Sequence, residues 1–221
     1  MVEGVRWLRD LVAMEQMPQV VCFTERWQDE SLLAQTNARK LLVSDSVMAA
    51  MSDVETPSGI LMIVPRIIRP LPQTPNFLLI FDRIQTPGNL GTMLRTAAAA
   101  GVDGVIFAPG CVDAFNPKVL RGSMGAHLRL GMVSADWTQI AHLTHSLTVY
   151  SAIIDSPHTY TNVDWRRPAA LIVGNEANGI GVEAQHLSTG ITIPMAANTE
   201  SLNAAMAAGI ILFEAVRQRQ T

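Results

Sequence analysis

The sequence predicts an α/β fold: a mostly parallel sheet with helices on both faces, preceded by a smaller α/β domain. Three observations carry this expectation. Short apolar runs at 77–81, 104–108, 148–154, 169–173 and 191–193, bounded by Gly, Pro or Asp, read as buried strands. Helical patterns alternate with those runs, the order that builds a parallel sheet. Upstream, Pro65, Pro70, Pro72 and Pro75 break the segment 65–75, which continues neither a helix nor a central strand and reads as an extended linker. The expected organisation is therefore a small domain over 1–64, the linker, and a larger domain over 76–221.

In the small domain Val5, Leu8, Leu11 and Val12 recur at helical spacing across 4–16. A strand over 20–23, a strand over 41–43, a helix over 45–52 and a strand over 59–64 follow, an αβαβ-like order. The chain reads as starting inside its first helix, as though an N-terminal element were shortened. In the larger domain helices are expected over 90–100, 117–123, 138–145 and from about 201 to 219. Leu202, Met206, Gly209, Phe213 and Val216 form an apolar stripe along the last helix, beside small alanines that admit close approach. Spacing alone leaves two readings of that stripe open, packing against the protein's own sheet or a seam between two copies.

Composition narrows the function classes. Apolar residues are 48% of the 221 and charged residues 16%, which suits a conventional core and not a disordered chain. No apolar stretch approaches the roughly 20 residues of a membrane span, and the N-terminus lacks the pattern of a secretory signal, so the expected address is cytoplasmic. Two cysteines, Cys22 and Cys111, are too few for a disulfide framework. The net charge of −3 is unlike that of a strongly basic nucleic-acid binder. The five histidines show no metal-ligand spacing, and no metal is expected. Neither a dinucleotide fingerprint nor a nucleophile elbow occurs, and Ile180-Gly181 stands where a P-loop needs Lys and Ser/Thr.

Three polar clusters remain, each where a strand ends. The first is Gln85-Thr86-Pro87-Gly88-Asn89 with Arg95 further along the helix; the second is Gly174-Asn175-Glu176; the third runs from Ile193-Pro194-Met195 to Ser201-Leu202-Asn203. Singly, each reads better as a helix cap, a surface residue or a solvated loop than as a site. Together, at the ends of three parallel strands, they mark where α/β sheets bind ligands.

In this order the clusters resemble the three motifs of the SpoU (TrmH) family of RNA ribose 2′-O-methyltransferases, of the SPOUT class. The first is similar to Pro87-Gly88-Asn89-Leu90-Gly91-Thr92-Met93-Leu94-Arg95, the second to Leu171-Ile172-Val173-Gly174-Asn175-Glu176, the third to Ile193-Pro194-Met195 with Glu200-Ser201-Leu202-Asn203. The run Asn116-Pro117-Lys118-Val119-Leu120-Arg121-Gly122-Ser123-Met124-Gly125-Ala126 also looks like the family. Residues 3–64 resemble, more weakly, the ribosomal-protein-L30e-like RNA-binding domain that precedes the catalytic domain in many relatives. Ala197 stands where many relatives carry glycine, and Gly131 where proline is common.

The resemblance implies a C-terminal trefoil knot, S-adenosylmethionine as methyl donor, and a homodimer. It implies catalytic roles for Asn89, Arg95, Glu176, Ser201 and Asn203, and cofactor contact by Gly174, Ile193 and Leu202. Arg83, Lys118 and Arg121, close to the motifs, are the expected RNA contacts. The implied activity is methylation of a ribose 2′-hydroxyl in RNA, ribosomal (large-subunit) RNA before transfer RNA. The alternatives are a tRNA 2′-O-methyltransferase and a non-catalytic ribosome-assembly factor of the same fold. Because a guanidinium gives up its proton only above a pKa of about 12, Arg95 suits phosphate positioning and alkoxide stabilisation better than a base role.

Overall fold

The computed structural model describes residues 1–66, 68–196 and 201–220. It divides into two compact units, Met1–Ile67 and Ile68–Thr221.

In the first unit β1 (Val2–Glu3) leads into α1 (Val5–Ala13), β2 (Val20–Phe23), α2 (Glu30–Ala34), β3 (Arg39–Leu42), α3 (Asp45–Met51) and β4 (Ile60–Ile63). The sheet order is β1-β4-β2-β3, with β2–β3 parallel and β4 antiparallel to both β1 and β2. The chain thus opens on an edge strand and not inside a helix. The Glu3 carboxylate ties that strand down by accepting from Ser52 Oγ at 2.6 Å and from the Ser58 amide at 2.8 Å. Helix α1 buries Trp7, Leu8 and Leu11, a face rotated slightly from the one its spacing suggested, because the large indole claims the centre.

The second unit contains β5 (Phe77–Phe81), α4 (Pro87–Ala99), β6 (Gly104–Phe107), α5 (Pro117–Ser123), β7 (Gly131–Ser134), α6 (Trp137–Leu143), β8 (Thr148–Ala152), β9 (Ala169–Val173), α7 (Val182–Leu187), β10 (Thr189–Ile191) and α8 (Ala204–Arg219). Its six strands run in the order β10-β8-β9-β5-β6-β7, every pair parallel. The central strands β5 and β9 are buried along their whole length. Phe77, Leu79, Phe81, Leu171 and Val173 face α4, α5 and α8, whereas Leu78, Ile80, Ala170 and Ile172 face α6 and α7. Burial on both faces is why these strands read as continuous apolar runs and not as alternating ones.

Two close approaches set the packing. A Cβ on Gly91 would sit 2.9 Å from Gly122 Cα, so α4 and α5 cross backbone to backbone. At the sheet edge, Gly131 leaves room for the end of the proline-rich segment. A Cβ there would meet the Pro70 carbonyl oxygen at 2.6 Å, and the Met132 amide donates to the Arg69 oxygen at 2.9 Å.

Helix α8 resolves the ambiguous stripe. Its buried face is Ala205, Ala208, Ile211, Leu212 and Ala215, which join the core that α4 shares with the sheet. The larger side chains of the expected stripe point outward, with Leu202 at 38%, Phe213 at 50% and Met206 at 60% exposure. Packing against its own sheet is therefore not what that stripe does. The last strand also shifts, to Thr189–Ile191, which frees Ile193 from the sheet.

Candidate active site

The strands β9 and β5 neighbour each other where the sheet order reverses direction, and ligands of open α/β sheets bind beyond the carboxyl ends of such strands. Three loops converge there. After β9, Gly174 is followed by a tight loop in which the Asn175 and Gly179 amides each donate to the other's carbonyl at 2.9 Å. Gly179 closes it with φ of 64°, a conformation glycine adopts without strain. The loop folds so tightly over Gly174 that a Cβ there would lie 2.4 Å from the Gly179 carbonyl carbon. Only glycine fits.

After β5, α4 begins at Pro87, with Thr86 as N-cap. Proline is suited to this first position because its missing N–H has no helical partner anyway. Asn89 therefore lies inside the first turn and not at the cap, and its side chain is free for another purpose. The third loop ends at Asn203, the N-cap of α8, whose Oδ1 accepts from the amides of Ala205 at 2.9 Å and Met206 at 3.2 Å.

These constraints link the three loops by a directional chain. The α8 amides hold the Asn203 oxygen toward the helix, so its Nδ2 faces away and donates to Asn89 Oδ1 at 3.0 Å. Asn89 Nδ2 in turn donates to Glu176 Oε1 at 2.8 Å. An ionised carboxylate only accepts, so every amide orientation in the chain is determined. Burial pushes the Glu176 carboxyl upward, but the hydrogen bonds from Asn89, its own backbone and Thr86 outweigh this and hold it below the usual range.

Beside this chain opens a cavity of about 470 Å³ lined by Ile154, the 174–179 loop, Ile193, Met195, Ser201, Leu202 and Ile211. Gly174, Ile193 and Leu202 all line it, as do Glu176 and Ser201. Asn89 and Asn203 stand behind Glu176 instead. Arg95 is exposed on α4, six residues beyond Asn89, or about 9 Å along the axis. Lys118 and Arg121 are exposed on α5. That helix is anchored by His127, whose imidazole pKa burial pushes down, with Ser123 Oγ at 2.9 Å and the Ala114 oxygen at 2.7 Å. Arg83 reaches back to Asp82 and Gly179. Ala197 and Glu200 lie outside the described residues. Among the described residues no group of three or more His, Cys, Asp or Glu is placed to hold a metal.

Sequence reading missed Asp82 and the pocket residue Ile154, and named Asn175 and Met195 only as members of their clusters, with no role of their own. Asp82 carried a signal, an acid directly after five apolar residues. Asn175 carried less, since one of its two roles depends on Arg83, a partner distant in the chain. Its Oδ1 accepts from the Ala177 and Asn178 amides, both at 3.0 Å, and its Nδ2 donates to the Arg83 oxygen at 2.9 Å.

A parallel α/β sheet with a cofactor-sized pocket at its strand ends, lined by one carboxylate, a hydroxyl and aliphatic residues and backed by a fixed amide pair, has the form of a small-molecule or cofactor site of an α/β protein. Residues 76–213 match the SpoU rRNA Methylase family, and the chain belongs to that family. A protein of Synechocystis sp. named as an uncharacterized tRNA/rRNA methyltransferase is 34% identical over 236 residues, spanning 99% of this chain and 84% of the relative. The 23S rRNA (guanosine(2553)-2′-O)-methyltransferase RlmP of Bacillus subtilis is 34% identical over 184 residues, spanning 81% of this chain and 73% of that protein. Among solved structures, the SpoU methyltransferase AviRb from Streptomyces viridochromogenes, in complex with the cofactor AdoMet, superposes with a TM-score of 0.87 at 26% identity. That similarity covers 99% of this chain and 90% of AviRb.

Proposed function

We propose that this chain transfers the methyl group of S-adenosylmethionine to a ribose 2′-hydroxyl of ribosomal RNA, in the large subunit. The observation that carries the reading is the Asn203–Asn89–Glu176 chain set against the pocket formed by the 174–179 loop. The pocket fits the cofactor on chemical grounds. Its lining combines aliphatic residues with the polar Asn175, Asn178, Thr192 and Ser201, its size lies in the range of cofactor sites, and its one ionisable lining residue among the described residues is a carboxylate, suited to a cation and not to phosphates. When bound, the cofactor supplies an electrophilic methyl on a sulfonium, which needs no metal. The relatives' activity toward 23S rRNA supports the substrate.

The protein's own residues do the rest. Gly174, Ile193 and Leu202 hold the cofactor. Asn203 and Asn89 fix the Glu176 carboxylate, which orients polar groups at the pocket mouth. Ser201, exposed beside Leu202, offers a hydroxyl to the incoming ribose. Arg95 remains a cation and stabilises charge developing on the attacking oxygen, with preorganisation supplying the rate gain. Lys118 and Arg121 extend a basic rim for the RNA backbone. Replacing Arg95 by Lys is expected to lower turnover at least tenfold, because the planar fork is lost; full retention of activity would remove any specific guanidinium role.

The outward face of α8 supports a homodimer, since Met206 and Phe213 on it are large, apolar and exposed. Light scattering at low micromolar concentration should give twice the chain mass, and a monomer would sink this part of the reading. The C-terminal knot and a cytoplasmic address belong to the same proposal. No described helix is long and apolar enough to cross a membrane.

The deciding experiment incubates the protein with methyl-tritiated S-adenosylmethionine and total RNA from cells lacking it. Label in large-subunit RNA is expected. Label in transfer RNA would keep the chemistry and change the substrate, whereas no label with RNA or ribosomal subunits would favour an assembly factor.

A further inference from the structure

Among the described residues Arg83 is one of three non-glycine residues in the left-handed region, with φ of 55°, a conformation that L-residues adopt at a cost. Its surroundings explain the choice. The preceding Asp82 is buried to 1% exposure at the carboxyl end of β5, and a buried carboxylate must be fully partnered. One oxygen accepts from the Gly181 amide and the other from Arg83 Nε at 3.1 Å. The left-handed turn bends the Arg83 side chain back across its own predecessor, so that Nη2 also donates to the Gly179 oxygen at 3.3 Å. The Arg83 carbonyl meanwhile accepts from Asn175 Nδ2 at 2.9 Å. The segment from Asn175 to Gly181 is thus gripped at its start, its turn and its end by two consecutive residues of another loop.

That segment is the pocket wall that carries Glu176. We propose that Asp82 and Arg83 form a clasp that sets the shape of this wall, making Arg83 a positioning residue for cofactor binding and not an RNA contact. The inference rests on the reading of the pocket as the S-adenosylmethionine site. It redirects the expectation drawn from sequence, in which Arg83 was grouped with Lys118 and Arg121. The Arg83 guanidinium already gives Nε to a carboxylate and Nη2 to a carbonyl, and the adjacent Asp82 charge offsets its own, which weakens its pull on a phosphate. Lys118 and Arg121 hold no such place in the pocket wall.

The test compares Arg83→Ala, Arg83→Lys and Arg83→Gly with the wild-type chain. S-adenosylhomocysteine affinity is measured by calorimetry and affinity for deproteinised 23S rRNA by filter binding. Arg83→Gly matters because it removes the side chain while suiting the left-handed backbone, separating loss of the clasp from backbone strain. The expected result is a Kd for S-adenosylhomocysteine raised about tenfold in the Ala and Gly variants, the size of one charge-assisted hydrogen bond. Lys should show a smaller rise, because one ammonium cannot span Asp82 and Gly179 as the fork does. RNA affinity should be unchanged in all three. Weaker RNA binding with unaltered S-adenosylhomocysteine binding would return Arg83 to the RNA rim and overturn the clasp, as would no change in either. Equal loss of both would reduce the clasp to general loosening and overturn its specific role. A wild-type chain that bound no S-adenosylhomocysteine would overturn the reading of the pocket itself, and the clasp's role with it.

Discussion

The polar side chains that anchor the two ends of the large sheet differ in what else they bond, although Asp82, Asn175 and Asn203 at the carboxyl end also bind backbone. At the amino end such side chains are committed to backbone. Asp103 Oδ2 accepts from the Asn76 and Phe77 amides at 2.6 and 2.8 Å. Arg219 donates to the Asn76 and Arg167 oxygens while its guanidinium lies 4.6 Å from the Phe77 ring centre. Trp165, fully buried, donates from Nε1 to the Tyr160 oxygen at 2.8 Å and packs on Phe77 and Tyr150. At the carboxyl end, Asn203, Asn89 and Glu176 bond to one another at the edge of a cavity. Helix α8 joins the two ends, held by Arg219 at one terminus and by Asn203 at the other. Backbone-directed bonds lock a scaffold, whereas bonds between side chains at a pocket leave groups that are oriented yet accessible.

The contrast is sharpest in what substitutions should do. Trp165→Ala, at the scaffold end, is expected to cost about 3–5 kcal/mol of stability, read as a lowered denaturation midpoint, while the cofactor affinity of the folded fraction stays near wild type. A large affinity loss in still-folded protein would show that the ends are not separable. Asn203 breaks the comparison from the other side. Asn203→Ala should lose about 1 kcal/mol of helix capping together with most activity. Asn203→Asp keeps a capping oxygen, favoured at a helix N-terminus, but has no N–H for Asn89. It should therefore retain stability while turnover falls at least tenfold, and retained turnover would make the amide chain irrelevant to function.

The smallest effect is the pH dependence of the site. Because the Glu176 carboxyl is held below its ordinary value, its contribution is complete above the normal carboxylate range and is lost as pH falls through the lower folded value. Cofactor affinity titrated from pH 8 downward should thus stay free of any Glu176 step until that acidic range, and Glu176→Gln should abolish the step. A step of Glu176 near neutrality would contradict the hydrogen-bonded carboxylate.

Most of the larger unit was legible because its strands are buried on both faces and leave unbroken apolar runs, as at Phe77–Phe81 and Ala169–Val173. Short elements such as α7 and β7 were not, since six or four residues carry little periodicity. The α8 stripe was visible but its direction was not. Spacing shows that residues share a face, while the neighbours decide which face turns inward, and here close packing selected Ala205, Ala208 and Ala215 over Met206 and Phe213.

The sequence by itself determined the α/β class, the three strand-end clusters and, through the residues that resemble the family, the named polar groups. Tertiary structure decided which of those groups meet. Asn89 and Glu176 are 87 positions apart, and Asn89 and Asn203 are 114 apart. It also decided that Arg83 bends back onto the buried Asp82 and the Gly179 carbonyl, a pairing across 96 positions that no local pattern shows. Local sequence encodes backbone conformation and burial, but a hydrogen bond between distant loops exists only once the sheet has brought their strand ends together.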